Sequence, residues 1–87
     1  MTEDKKHTQI KVERVQTGVR LEKRMVKVLK ALAEYFDISL GDLLEGIVLH
    51  SFEGKSPFES EAIAKINALK EIYEMDYDAG ASHHMIE

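Results

Sequence analysis

The chain is 87 residues long, 44% hydrophobic and 32% charged, without cysteine and with a net charge of −4. One domain of this size is close to the limit at which a monomer buries enough surface to be stable. The composition is too apolar for a disordered chain, no apolar run approaches the roughly 18 residues that cross a membrane, and the lack of cysteine excludes disulfide frameworks and thiolate zinc sites.

The opening MTEDKKHTQIKVERV has no apolar core of the signal-peptide kind, so a cytoplasmic protein is expected. Charge is unevenly placed. Residues 1–30 hold nine Lys or Arg against four Asp or Glu, and residues 31–87 hold three against twelve. A basic first third beside an acidic remainder suggests two surfaces with different partners.

Residues 1–9 are polar and without periodicity, and are expected to form a flexible arm. From Ile10 to Leu21 the chain is rich in β-branched residues. Val15, Thr17, Val19 and Leu21 fall on one side of an extended chain, and Arg14, Gln16, Gly18 and Arg20 on the other. This predicts a short strand with an apolar face and a basic, polar face. A first helix is predicted over 22–36, with Met25, Val28, Leu29, Leu32 and Phe36 on its apolar side and Lys23, Lys27, Lys30 and Glu34 in water. It should end near Asp37-Ile38, and Ser39 followed by Asp42 predicts the cap of a second helix over 40–52.

That second helix carries Leu40, Leu43, Leu44, Ile47, Val48, Leu49 and Phe52, more than one apolar stripe. A small monomer needs only one such face, so the width implies a second burial partner. The lone strand also needs a partner, and the most economical one is a second copy of the chain. Glu53-Gly54-Lys55 predicts a helix stop, and Ser56-Pro57-Phe58-Glu59 has the pattern of a new N-cap with Pro at the first helical position. A third helix should follow to about Tyr73, on Ile63, Ile66, Leu69 and Ile72. The domain division expected is an arm at 1–9, a core at 10–52, a helical extension at 53–75 and an acidic tail at 76–87, the last poorly ordered.

Residues 17–52 resemble the ribbon-helix-helix superfamily, the group of the Arc, MetJ and CopG-like proteins that includes many plasmid copy-control and antitoxin proteins. Val19-Arg20-Leu21, then Leu29, Leu32 and Ala33, the turn Asp37-Ile38-Ser39, and Leu43, Leu44, Ile47 and Val48 carry the resemblance. Glu22 stands where the family often has Pro, and Asp37 where it often has Gly. The resemblance implies a mainly α fold: one short N-terminal strand pairing antiparallel across an intertwined homodimer, two core helices and a third C-terminal helix. The dimer core would hold Val19, Leu21, Leu29, Leu32, Leu43, Leu44, Ile47 and Val48.

By the same resemblance the paired strands enter the major groove of double-stranded DNA, with Gln16, Gly18 and Arg20 at the bases. Phosphates would meet Arg14, Lys23 and Arg24, and also Ser39, Leu40 and Gly41, where the second helix presents free amides and the positive end of its dipole. The function expected is a sequence-specific, DNA-binding transcriptional regulator, a repressor acting as a homodimer, with higher-order assembly on DNA open. A rival expectation is an antitoxin-like dimer whose acidic segment, with Tyr73 and Tyr77, binds a protein partner while DNA binding is secondary or lost. No catalytic residue, cofactor or metal is expected. His83 and His84 are adjacent and so diverge, no His-x3-His spacing occurs, and no phosphate loop or nucleophile elbow is present.

Overall fold

The computed structural model describes residues 9–87; the expected arm at 1–9, apart from Gln9, lies outside them. Three helices follow one another: α1 (Lys23–Phe36), α2 (Leu40–Phe52) and α3 (Ser60–Ile72), with a 3-10 turn at Ala79–Ala81. The expected N-terminal strand, and with it the ribbon-helix-helix fold, is corrected here, since the described residues hold no strand. Residues 9–22 run without helix or ladder, and every side chain from Gln9 to Leu21 is exposed. The reason is physical. Alternation gives an extended segment two unlike sides, but a strand also needs a neighbour to exchange backbone hydrogen bonds with, and none of the described residues supplies one.

The helices form where their local chemistry directs. Glu22 caps α1, its Oε1 accepting from the Met25 amide at 3.2 Å. Asp37 ends α1 in the left-handed region at φ 60, where a short polar side chain is tolerated. The Asp37 and Ile38 amides then donate to Glu34 and Ala33, each at 3.0 Å. Ser39 Oγ accepts from the Asp42 amide at 3.0 Å and opens α2 as expected. Gly54, at φ 70, lets the Lys55 amide return to the His50 carbonyl and close α2.

The start of α3 differs from expectation. Ser56 Oγ donates to the Phe58 carbonyl instead of capping a helix, and the helix begins at Ser60 behind Glu59, whose side chain makes no capping bond. Phe58 offers the physical reason: it packs against the Leu32, Ala33 and Leu43 cluster, and burial of its ring competes with a place in the first turn of the helix.

The core is small. Leu32 is 1% exposed and Val28, Ala33 and Leu43 are buried, with Leu29, Ile47, Phe58, Ile66 and Leu69 half-covering the cluster. Of the residues expected in a dimer core, Leu32 and Leu43 are buried, and Leu29, Leu44 and Ile47 half-buried. Val19, Leu21 and Val48 are exposed. Leu49 at 65% and Phe52 at 82% leave the outer side of α2 uncovered. No helix of the described residues is long and apolar enough to cross a membrane.

Candidate functional site

Basic side chains gather along residues 14–30, where the extended segment runs into α1. Gln16 and Gly18 lie on the exposed stretch, and no atom comes within 4 Å of where a Gly18 Cβ would stand. Arg20 is exposed and pairs with the carboxylate of Glu87. Arg14 makes a two-pronged pair with Glu45 of α2, Nε and Nη2 each 2.9 Å from a carboxylate oxygen. That fork holds the Glu45 carboxyl below its usual range. Lys23, Lys27 and Lys30 belong to the same basic face of α1.

The expected phosphate site at the start of α2 is differently equipped. Ser39 and Gly41 line an open groove of about 750 Å³ with Arg14, Thr17, Glu13, Asp42 and Glu45. Space beside Gly41 is free, but three acidic residues line the groove, and its one arginine is already bound to one of them. Like charge in the groove opposes a phosphate.

A junction that sequence reasoning missed sits at the start of α1. Glu22 Oε1 accepts from the Tyr77 hydroxyl at 2.5 Å, and Oε2 accepts from Arg24 Nε at 3.0 Å. Arg24 Nη1 also donates to Asp76 Oδ1 and to the Glu74 carbonyl, both at 3.1 Å, and the guanidinium lies 5.3 Å from the Tyr77 ring centroid. Lys27 Nζ lies 5.9 Å from the Tyr73 ring. The acidic stretch expected to be poorly ordered is therefore folded back on α1, and both tyrosines of the expected docking segment meet cations of the same chain. Glutamate is an uncommon N-cap, so the one signal in the sequence is its place in front of an amphipathic helix.

The Tyr77 hydroxyl, together with Arg24 and the Met25 amide, holds the Glu22 carboxyl down to about 2 against the opposing effect of partial burial. Burial first, and the bond to Glu22 second, push Tyr77 up to about 12. Folding lowers the carboxyl's value, so its contribution is whole above the ordinary 4.5 and is lost as pH falls towards about 2. It raises the phenol's value, so that share is whole below the ordinary 10.0 and is lost as pH climbs through about 12. Carbon NMR of the carboxyls should show Glu22 titrating far below 4.5, and Tyr77→Phe should move it upward. A Glu22 that titrates at 4.5 in the unaltered chain would mean that the junction does not form in solution.

His50 Nδ1–H donates to the Gly46 carbonyl at 2.8 Å. Among the described residues no three His, Asp or Glu side chains gather as a metal ion requires. Compared with known proteins, the chain matches no family model, no curated protein and no solved structure.

Proposed function

We propose that the protein is a self-associating DNA-binding regulator whose DNA-facing surface is the basic stretch from Arg14 to Arg24 together with the lysines of α1. One observation carries this reading: every side chain from Gln9 to Leu21 is exposed, and Arg14, Gln16 and Arg20 lie on that stretch directly ahead of the basic side chains of α1. Gln16 and Arg20 are the side chains of that stretch suited to base edges, since amide and guanidinium groups offer paired hydrogen bonds to adenine and guanine. Lys23 and Arg24, and Lys27 and Lys30 further along α1, supply phosphate contacts. The acids around Gly41 make the start of α2 the weaker of the two phosphate sites.

Self-association follows from the apolar surface left over. Ile10 and Val12 line an open groove with Leu44, Val48 and Leu49, and Phe52 on the same helix is exposed. Covering each large side chain is worth about 1.5–3 kcal/mol, so a second copy gains appreciably by seating there. The unfolding midpoint should therefore rise with protein concentration. A Leu49→Asp, Phe52→Asp chain should stay folded and lose that dependence, because both residues are exposed on the single chain. Sedimentation of both chains checks this, and an unaltered chain that remains monomeric at every concentration removes self-association from the reading.

DNA binding is tested by fluorescence anisotropy against a random duplex pool, followed by the selected site and a scrambled one across a salt series. The affinity should fall steeply with salt, by about 0.9 logarithmic units per logarithmic unit of salt for each phosphate neutralised, and the selected site should be preferred. Lack of binding even at about 50 mM salt would leave the rival reading, a protein-interaction dimer engaged through its acidic segment.

A further inference from the structure

We propose that residues 74–87 are an intramolecular competitor for the DNA-facing surface, laying carboxylates on the guanidinium groups that would otherwise meet phosphates and bases. The inference rests on the DNA-binding reading above. Two of the arginines that reading uses are occupied from this one segment. Asp76 takes Arg24, with the Glu74 carbonyl beside it, and Glu87 takes Arg20. A carboxylate and a phosphate oxygen make the same kind of charge-assisted bond to a guanidinium, so a carboxylate already seated there occupies N–H groups and offsets charge that a phosphate would otherwise use.

The segment is anchored at one end and loose at the other. Its anchor is Tyr77, whose hydroxyl binds Glu22 and whose ring lies by Arg24, with the Met75 amide donating to the Lys70 carbonyl at 2.8 Å just before it. At the far end the Arg20 and Glu87 side chains are 85% and 83% exposed. A pair that open is weak and screened by salt. A nucleic acid with many phosphates displaces the Glu87 end first and meets more resistance at Tyr77. Binding is thereby attenuated for a stray anion and retained for a ligand that contacts the whole stretch.

The test compares chains of matched charge. Asp76→Asn with Glu87→Gln removes two carboxylates from the contact. Glu61→Gln with Glu71→Gln removes two exposed carboxylates from α3 and makes the same change in net charge. Tyr77→Phe loosens the anchor with no change in charge at all. Affinity for a random duplex should rise on the order of tenfold for the first chain beyond any rise in the second, and should rise for Tyr77→Phe as well. Amide exchange should quicken over residues 74–87 of the unaltered chain when DNA is added.

DNA binding by the unaltered chain with equal gains in the two charge-matched chains, or with undiminished amide protection in the bound state, overturns the competitor while leaving the DNA-binding reading in place. Failure of every one of these chains to bind overturns both.

Discussion

Leu32→Ala is expected to remove a large share of the protein's stability. At 1% exposure, Leu32 is the most deeply buried of the large side chains, and it is the point where α1 meets α2, α3 and Phe58. Truncating a leucine in such a place costs about 2–5 kcal/mol through lost transfer energy and the cavity left behind. A domain this small has only about 5–10 kcal/mol to lose, with the lower figure nearer for a chain that buries so few residues. Urea unfolding followed by circular dichroism measures the effect as a shift in midpoint at constant slope. Phe52→Ala is the control, since that ring is 82% exposed. At dilution, where chains do not associate, its midpoint should scarcely move. Equal losses from the two substitutions would mean that the core lies elsewhere.

Arg20→Ala should have the largest effect on DNA recognition, costing about 1–3 kcal/mol for each base the chain no longer reads and relaxing preference at the matching position of the site. A symmetric pair of chains would feel the loss twice. The fold should be untouched, because the side chain is exposed and its ion pair with Glu87 is open to solvent. Gly41→Glu should differ in kind. There is room for the new side chain, so the protein should stay folded, and a further carboxylate near Asp42 and Glu45 should weaken binding to all sequences alike. Titrating the selected and scrambled duplexes separates the two patterns. An Arg20→Ala chain with unchanged preference would remove Arg20 as a base reader.

Helix α2 is legible in the sequence to its last residue, because Ser39 and Asp42 mark its start and Gly54 its end by local bonds that those residue types display. Asp37 is legible for the same reason. The start of α3 is not, since Ser56, Pro57 and Glu59 have the pattern of a cap while the deciding force is Phe58 reaching the core, a tertiary demand with no local mark. The extended segment shows its two-sidedness in the sequence but misleads about its pairing, for alternation describes side chains and says nothing about who accepts the backbone hydrogen bonds. The junction of Glu22, Arg24, Asp76 and Tyr77 joins residues 52 and 55 positions apart. No periodicity connects them, so the charge asymmetry shows both signs in the sequence without showing which carboxylate meets which arginine.

A single oxygen, Glu22 Oε1, receives both the Met25 amide and the Tyr77 hydroxyl. The first turn of α1 and the docking of residues 74–87 are thus two outcomes of one carboxylate's position, and their free energies are coupled. By reciprocity, whatever stabilises that first turn tightens the hold on Tyr77, and whatever draws Tyr77 away raises the fraying of α1 by the same free energy. Occupancy at one end of the chain is in this way reported at a helix terminus more than fifty residues earlier, through a side chain that touches both.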